Sequence, residues 1–318
     1  MYTPSDVHLQ KKRMRILISG ASGLVGKALM PILEQAGHHV SVLTTRTNSA
    51  AFASDTAVFH WNPEKGILDS NALNDVDVII SLAGAKIAQR WTSKSTKSIL
   101  ESRVLGTRLL VNALRINQKH RVAHFISASA IGIYPSSFTN RYTESNTDVA
   151  KSFPAEVVRA WEAEVDKAND IVAHVSKIRI GLVLAREGGA LLPLAIPTSL
   201  GLGAWFGSGK QWQSWIHIRD LVHLFAFSLQ HPGTYNGVSP HPVSQKTLVK
   251  AIAKIYRVPQ WLPGAPKRVI KTIMGDMGEV LFDSIHASSA TVENQGFIFK
   301  YPLLEDALND LLPLRRKK

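Results

Sequence analysis

One stretch near the N-terminus decides the fold: Arg15-Ile-Leu-Ile-Ser-Gly20-Ala-Ser-Gly23-Leu-Val-Gly26-Lys-Ala-Leu29. An apolar run typical of a buried strand leads into three glycines spaced by two residues each, and a helical pattern follows. Gly20 would permit a tight turn, Gly23 would let the backbone approach a pyrophosphate, and Gly26 would let the helix pack closely on the strand. The amides and dipole of such a helix terminus attract anions. The stretch therefore predicts a dinucleotide site in a Rossmann domain.

The alternative for this predicted phosphate loop is a glycine-containing turn that binds no ligand. Strand, loop and helix follow one another in the order that the motif requires, and this order favours the dinucleotide site. The loop residues expected to contact the cofactor are Gly20, Ala21, Ser22, Gly23, Leu24, Val25 and Gly26.

The segment Val40-Ser-Val-Leu-Thr-Thr-Arg46 should form the second strand and end beside the adenosine ribose. NAD-selective sites usually place a carboxylate there, whereas this chain has Thr44. The guanidinium of Arg46 suits the 2′-phosphate of NADP. Thr45 and Arg46 are therefore predicted cofactor contacts, and the sequence favours NADP over NAD. The alternative is that Arg46 only faces solvent.

The first 150 residues alternate short β-rich runs with longer helical patterns, which is typical of a parallel sheet with crossover helices. The predicted strands are Arg15–Ser19, His39–Thr44, Ala57–Trp61, Val76–Leu82, Ala123–Ser129 and Ser176–Leu184. The predicted helices are Leu24–Gln35, Ser93–Asn117 and Leu304–Leu312. These elements predict an α/β fold with a doubly wound, parallel Rossmann sheet and a small mixed C-terminal substrate lobe.

We expect residues 14–186 to form the dinucleotide-binding domain, with its sheet completed by a later strand near 235–238. Glycine, proline and tryptophan become frequent after about Glu187, and residues 187–312 are expected to form the substrate lobe. Residues 1–13 and 313–318 are expected to be disordered basic ends, and Met14 is an alternative start.

The composition is that of an ordinary globular protein, with 45% hydrophobic and 19% charged residues. The absence of cysteine excludes disulfides, thiolate metal sites and cysteine nucleophiles. We expect no export signal, no membrane span and a cytoplasmic location. The net charge is +13, and the two ends carry seven cations with Asp6 as their one acid. Because no aromatic residues interleave these cations, we expect solvated ends and no nucleic-acid partner.

Further stretches of the chain extend this picture from about residue 14 to residue 312. They are Trp61-Asn-Pro63, Leu82-Ala-Gly84, Arg90-Trp-Thr92, Ser102-Arg103, Ser127-Ala-Ser-Ala130, Arg159-Ala-Trp-Glu162, Arg179-Ile-Gly181, Gly189-Ala-Leu191, Gly207-Ser-Gly-Lys-Gln211, Ser214-Trp-Ile-His-Ile218, Ser239-Pro240 and Gly296-Phe-Ile-Phe299. With them the chain resembles the extended short-chain dehydrogenase/reductase superfamily, and more closely its epimerase-family proteins with a C-terminal domain of unknown function (DUF1731). The resemblance implies cofactor contacts from Leu82, Ala83 and Gly84, where a strand ends above the pyrophosphate.

In that superfamily a tyrosine and a lysine four residues later form a proton relay, and the lysine also holds the nicotinamide ribose. This chain has no Tyr-x-x-x-Lys sequence. If Glu162 corresponds to the family's glutamate, the two relay positions are occupied by Pro154 and Val158, and neither can donate a proton. This departure argues against ordinary reductase or epimerase chemistry.

Three side chains are candidates for catalytic work without the relay. Ser129 matches the strand serine that orients a substrate carbonyl in the superfamily, so its hydroxyl is expected to face the substrate. Tyr134 lies just beyond that strand, and for both residues the alternative is a satisfied hydrogen bond at the strand end. His217 belongs to a His-x-x-Asp sequence, in which Asp220 is expected to cap the next helix or orient His217.

The segment Trp205-Phe-Gly-Ser-Gly-Lys-Gln-Trp212 offers aromatic walls and polar donors, which suit a partly apolar, partly anionic ligand. Trp205, Lys210 and Gln211 are therefore predicted substrate contacts. Arg103 is assigned to the cofactor site, and its alternatives are a structural ion pair or a contact with a substrate anion. No metal site is predicted, because His217 and Asp220 lack a third ligand.

Two classes of function remain open at this point. The first is an NADP-dependent oxidoreductase or epimerase-like enzyme, in which the nicotinamide carries the hydride and the protein orients a small metabolite. The second is a non-catalytic dinucleotide-binding or sensing protein, which the missing tyrosine and lysine favour. We expect a small-molecule substrate and a monomer or homodimer. A nucleic-acid partner for the basic ends is a third possibility.

Overall fold

The computed structural model describes residues 13–46 and 52–312, so apart from Arg13 the expected basic ends lie outside the described residues. The strands are Arg15–Ser19 (β1), His39–Thr44 (β2), Ala57–Asn62 (β3), Ile67–Leu68 (β4), Val78–Ser81 (β5), His124–Ala130 (β6), Arg141–Tyr142 (β7), His174–Ile180 (β8), Leu182–Ala185 (β9), Gly188–Gly189 (β10), Trp212–Gln213 (β11), Trp215–His217 (β12), Thr234–Gly237 (β13), Val243–Ser244 (β14) and His286–Ala287 (β15). The α-helices are Leu24–Gln35 (α1), Ser93–Ile116 (α2), Phe153–Asp166 (α3), Leu191–Ser199 (α4), Ile218–Ser228 (α5), Gln245–Tyr256 (α6), Lys267–Met274 (α7), Met277–Val280 (α8), Ala290–Asn294 (α9) and Leu304–Leu311 (α10).

Eight strands form the central sheet, in the order β13-β8-β6-β5-β1-β2-β3-β4. All neighbours pair in parallel except β3 and β4, which are antiparallel. The chain runs outward from β1 through β2 and β3 and then returns to β5 on the other side of β1. The strand order therefore reverses between β1 and β5, which confirms the predicted doubly wound α/β fold. Ligands of such sheets bind at the carboxyl edge beside this switch point.

The middle strands are apolar on both faces because helices cover both sides of the sheet. Ile16, Leu17 and Ile18 of β1 are fully buried, as are Ile79 and Ile80 of β5. Continuous apolar runs of this kind are typical of parallel strands covered on both faces. Because parallel crossovers are right-handed, the reversal of strand order puts α1 and α2 on opposite faces.

The predicted strand Ser176–Leu184 is two strands in the structure, β8 and β9, and Gly181 separates them. β8 stays in the central sheet beside β13, whereas β9 leaves it and pairs in parallel with β12. A Cβ on Gly181 would lie 2.2 Å from the carbonyl oxygen of Ser214, so only glycine allows the two segments to approach this closely.

Residues after Glu187 contribute to two parts of the molecule. Tyr235 of β13 pairs with Ile178 of β8, so this segment adds the outermost strand on one side of the central sheet. Helix α5 also packs into the main apolar core, through Leu221 and Phe225, whereas Leu191, Trp215 and Leu248 are fully buried in a separate apolar cluster.

Candidate functional site

The three glycines of the phosphate loop lie at the carboxyl end of β1, and each has different backbone contacts. Gly20 has a φ of +76°, and its carbonyl accepts a hydrogen bond from the Gly23 amide at 2.9 Å. A Cβ on Gly20 would lie 2.7 Å from the backbone nitrogen of Ala83. A Cβ on Gly26 would lie 2.5 Å from the Cα of Ala21, so the loop requires glycine where it meets the turn after β5 and where it packs on α1.

The start of α1 is open to an anion. Gly23 is its N-cap, and no side chain caps the amides of the first turn. A Cβ on Gly23, which is exposed, would meet only the Gly20 carbonyl, at 3.2 Å. Such helix termini bind phosphates through their free amides and dipole. Ala21 and Gly26 are buried, whereas Ser22, Leu24 and Val25 are half-buried around the loop. The residues present therefore fit the pyrophosphate of a dinucleotide.

The turn Leu82–Gly84 lies directly beside the phosphate loop, as the superfamily resemblance implies. The Leu82 amide donates to the Ser19 carbonyl at 3.0 Å, and the Ala83 amide approaches the Ser19 hydroxyl at 3.4 Å. On its other side the turn is fixed to α2, because the Ala85 amide donates to Ser102 Oγ at 2.9 Å. The turn thus bridges β1 and α2 at the switch point.

The end of β2 presents no acidic side chain at positions 44–46. The Thr44 hydroxyl accepts a hydrogen bond from the Arg46 amide at 3.1 Å, which fixes the backbone where the strand ends. The side chains of Thr45 and Arg46 are exposed. A ligand that lies across the carboxyl edge on the β2 side of β1 can therefore meet the Arg46 cation.

Arg103 of α2 reaches the other side of the phosphate loop. Its guanidinium packs so closely on Gly84 that a Cβ there would lie 2.9 Å from Cζ. Nη1 donates to the Ile99 carbonyl at 2.9 Å, and the guanidinium lies 5.3 Å from the centroid of Trp161. Among the described residues it has no carboxylate partner within 4.0 Å, so the structural ion pair considered for Arg103 does not form there.

Pro154 and Val158, which correspond to the relay positions if Glu162 is the family's glutamate, lie in α3, and neither side chain can donate a proton. Pro154 is in the first turn of the helix, and its Cβ lies 3.4 Å from where a Cβ on Gly132 would stand. Val158 is buried in an apolar cluster with Ile133 and Val238. Packing therefore fills the space that a lysine side chain would need.

Ser129 does not face a ligand, which corrects the expectation from the sequence. The residue is 3% exposed, and its hydroxyl donates to Glu162 Oε1 of α3 at 2.5 Å. Arg179 binds the same carboxylate in bidentate fashion, with Nε and Nη2 each 2.9 Å from an oxygen. Burial raises the pKa of Glu162, but the hydrogen bonds and charge of Arg179 outweigh it and hold the pKa below its usual value.

Tyr134 belongs to the same buried network. Its hydroxyl donates to Asn236 Oδ1 at 2.8 Å and accepts from Arg179 Nη1 at 2.9 Å. Its ring is 1% exposed and stacks on Tyr142 with centroids 5.1 Å apart. Burial raises the pKa of Tyr134, which opposes any role as a proton donor near neutral pH. The alternative of a satisfied hydrogen bond is thus what the geometry supports for both hydroxyls.

His217 and Asp220 have structural contacts that differ from those expected. His217 is fully buried, caps α5 by accepting from the Arg219 amide at 3.0 Å, and stacks on Tyr301. Its Nε2 is 3.3 Å from Asp310 Oδ2, without the geometry of a hydrogen bond. Asp220 neither caps α5 nor orients His217, because its carboxylate accepts the amides of Lys300 and Tyr301 at 2.8 and 2.9 Å. Burial lowers the pKa of His217 to about 4.

The three predicted substrate contacts of the lobe differ in their exposure and in the groups that they contact. Gln211 is 2% exposed and its amide donates to the carbonyls of Phe206 and Leu281, so it fixes the loop and is not free for a ligand. Trp205 is half-buried beneath the Lys246 ammonium, which lies 4.6 Å from its ring centroid. Lys210 is exposed. The aromatic wall and the cation are thus present, but the expected amide donor is not.

In residues 13–46 and 52–312, no three histidine or carboxylate side chains are grouped to hold a metal ion. No helix in the same part is long and apolar enough to cross a bilayer.

The ion pair between Glu162 and Arg179 joins α3 to β8 in the interior and was not predicted from the sequence. A charged residue between apolar neighbours in a strand, as Arg179 is between Ile178 and Ile180, was the available signal. Charges in such strands are almost never buried without a partner. The partner lies on another element, and sequence spacing does not reveal it.

The chain is similar in sequence to known proteins. The NAD dependent epimerase/dehydratase family matches residues 16–173, and a domain of unknown function (DUF1731) matches residues 265–311. An epimerase family protein of Staphylococcus epidermidis is 32% identical over 303 residues, covering 94% of this chain and 99% of that protein.

Solved structures are similar to this chain in fold over most of its length. The human epimerase family protein SDR39U1 (isoform 2), solved with NADPH, is 26% identical with a TM-score of 0.83, covering 94% of this chain and 99% of that one. The UDP-glucose 4-epimerase of Thermus thermophilus, solved with NAD, shares the fold at 17% identity and a TM-score of 0.73, covering 92% and 96% of the two chains. Because sequence and fold agree over nearly the whole length, this chain belongs to the epimerase family of extended short-chain dehydrogenases/reductases that carry a C-terminal DUF1731 domain.

Proposed function

We propose that this protein binds NADP(H) at the carboxyl edge of its central sheet and acts on a small metabolite as an oxidoreductase or epimerase-like enzyme. The observation that carries the proposal is the phosphate loop at the switch point, with glycines at close backbone contacts and an uncapped helix terminus. Residues 14–186 would supply the dinucleotide site and residues 187–312 the substrate lobe.

Arg46 supports NADP over NAD, because it follows β2 where the adenosine ribose of a dinucleotide lies and no acid accompanies it there. Leu82–Gly84 and the Gly20–Gly26 loop would hold the pyrophosphate. NADPH is also the cofactor with which human SDR39U1 was solved. The Thermus epimerase, solved with NAD, supports the fold alone.

The cofactor preference is tested by calorimetry with NADPH and NADH. One charged, hydrogen-bonded contact contributes about 1.5–3 kcal/mol, so NADPH should bind at least tenfold more tightly than NADH. Arg46→Ala should remove most of that difference while NADH affinity stays the same. Equal affinities of the wild type for both dinucleotides would contradict the NADP assignment.

The bound nicotinamide would supply hydride transfer, and the chain would bind and orient the reactants. Trp205 and Lys210 remain proposed substrate contacts, whereas Gln211 does not because its amide is committed. Ser129, Tyr134 and His217 are buried in other contacts, so the proton for any reaction comes from water or from the substrate. Losing a positioned general acid costs about 10²–10⁴-fold in rate, and we therefore propose slow turnover.

A second function, dinucleotide-dependent binding or sensing without catalysis, is favoured by one observation. The three predicted catalytic side chains are at most 3% exposed. Mass spectrometry of ligands that co-purify with the protein would identify the metabolite, and NADPH oxidation with that metabolite would then be followed by absorbance. Slow oxidation supports the enzyme. Tight NADPH binding without oxidation supports the sensing protein.

A further inference from the structure

Arg103 is a half-buried cation that has no carboxylate partner among the described residues. Its guanidinium is enclosed between the backbone of Gly84 and the ring of Trp161. Among the described residues its one hydrogen bond goes to the Ile99 carbonyl, one turn earlier in α2. Burial lowers the pKa of Arg103 to about 10. Nothing in the described part of the chain compensates this desolvation with a negative charge.

The buried Arg179 differs in this respect: it is 8% exposed and pairs with Glu162 at 2.9 Å. Enclosed charges are normally paired because desolvation is costly. The contrast indicates that the partner of Arg103 is supplied by a ligand.

The sheet topology indicates which part of a dinucleotide this would be. The phosphate loop follows β1, and the adenosine half lies towards β2, where Arg46 is exposed. The nicotinamide half therefore extends the other way, over the ends of β5 and β6. Arg103 contacts the turn that follows β5, and Gly84 in that turn is exposed. The guanidinium thus lies on the nicotinamide side of the phosphate loop.

We propose that Arg103 binds the nicotinamide-side phosphate of the dinucleotide, and that Gly84 lacks a side chain so that this guanidinium can lie at the carboxyl edge of the sheet. The inference rests on the proposed NADP(H) site. It places the cation for that half of the cofactor on α2, whereas the relay positions of α3 hold only Pro154 and Val158. Arg103 acts here as a cofactor-binding residue and takes no part in proton transfer.

The test compares two ligands by calorimetry, NADPH and adenosine 2′,5′-bisphosphate, which lacks the nicotinamide-side phosphate. Arg103→Met should weaken NADPH binding by about 10–100-fold and change the affinity for the bisphosphate by less than about twofold. Arg103→Lys should fall in between, since it keeps the charge but loses the planar fork. Arg115→Met, an exposed arginine of the same helix, is the matched control and should bind both ligands like the wild type.

Unchanged NADPH affinity in Arg103→Met would overturn the inference and leave a substrate anion as the partner, while the proposed NADP(H) site would stand. If the wild type bound neither ligand, both proposals would fail. Thermal unfolding without cofactor gives a readout of a purely structural role. Arg103→Met should unfold at the same or a higher temperature, because an uncompensated charge is removed. A decrease of more than about 5 °C would show that Arg103 serves stability and would also overturn the inference.

Discussion

The hydroxyl of Ser129 donates to a carboxylate that also accepts two hydrogen bonds from Arg179. Removing a donor from a buried carboxylate costs about 1.5–3 kcal/mol, so Ser129→Ala should lower the free energy of unfolding by that amount. NADPH affinity should not change, because the hydroxyl points into the protein. Urea unfolding and calorimetry measure the two effects.

Ser127→Ala is the matched control for this prediction. Ser127 is fully buried in the same strand, but its hydroxyl donates only to the carbonyl of Ala128, at 2.8 Å. Its loss should cost less than about 1.5 kcal/mol, because no charged group is left short of a hydrogen bond. The prediction is wrong if Ser129→Ala is as stable as the wild type yet loses its turnover.

For single residues, the sequence indicates on which face of a strand a side chain lies but not which group it contacts there. The alternation of a strand places Ser127 and Ser129 on one face of β6. What covers that face at Ser129 is Glu162, 33 residues later and on a helix. The direction of the hydroxyl therefore depends on how α3 packs against the sheet, which the pattern of β6 alone does not specify.

At the scale of elements, the junction of β1 and α1 depends on Gly26 more than on Gly23. A Cβ at position 26 would lie 2.5 Å from both the Cα of Ala21 and the carbonyl oxygen of Gly20, whereas one at position 23 would lie 3.2 Å from that oxygen only. Gly26→Ala should therefore push α1 off the strand and lower the free energy of unfolding by about 1–3 kcal/mol.

Gly23→Ala should cost less than about 1 kcal/mol, because the φ of −78° at position 23 suits alanine. Chemical denaturation of both variants measures the difference in stability. NADPH affinity should fall in both, through a displaced helix in Gly26→Ala and through a methyl group facing the pyrophosphate in Gly23→Ala. Equal stability of the two variants would contradict the packing argument.

A second prediction concerns helix α3, because its buried face has no room for a lysine side chain. Val158 is 3% exposed among Ile133, Tyr134 and Val238. Val158→Lys should lower the free energy of unfolding by at least about 3 kcal/mol, since it buries an unpaired charge. Ala163→Lys on the exposed face of the same helix should cost less than about 0.5 kcal/mol.

This prediction also bears on any attempt to restore the relay. Pro154→Tyr with Val158→Lys should give a destabilised protein and no gain in NADPH oxidation. Denaturation and an absorbance assay of the double variant would check both statements. A stable double variant with faster oxidation would show that the α3 surface can still hold a working relay.

Elements with a strong local pattern agree closely with the prediction from sequence. β1, β2 and α1 have the predicted bounds, β3, α2 and α10 differ by one residue at one end, and β5 and β6 differ by one or two residues at each end. The short strands β7 and β15 and the helices α7 and α8 were not predicted. Arg141 pairs with His286 across 145 residues, so β7 exists only because the chain returns to it. Such pairs leave no periodicity in either segment.

At the scale of the whole molecule, the last part of the chain is tied to the central sheet by polar contacts. Glu144 accepts from the Asn236 amide at 2.6 Å and from the Thr291 hydroxyl at 2.5 Å. Asn236 Nδ2 also donates to the carbonyl of Ser288, at 3.0 Å. A loop, the outermost strand β13, Ser288 and the first turn of α9 thus share one network that is partly buried. The change in composition after Glu187 marked the lobe, but these contacts span 52–147 residues and had no signal in the sequence.

Stability of the whole molecule should depend on pH through two buried histidines. Burial lowers the pKa of His217 to about 4, and burial together with the neighbouring His174 does the same for His124. In the unfolded chain both have the ordinary pKa near 6.5. Between pH 6.5 and about pH 4 the unfolded chain therefore binds protons that the folded chain does not. The free energy of unfolding must fall as the pH is lowered through this window, by up to about 3 kcal/mol per histidine.

Urea unfolding at several values between pH 7.5 and pH 4.5 measures this dependence. His217→Asn keeps an acceptor for the Arg219 amide at the start of α5, so the helix cap survives while one titrating group is removed. This variant should lose stability at pH 7 because packing on Tyr301 is lost, yet its stability should fall less steeply with decreasing pH. A wild type equally stable at pH 7 and pH 4.5 would mean that the folded chain takes up these protons, and the buried histidines could not then be neutral in the native state.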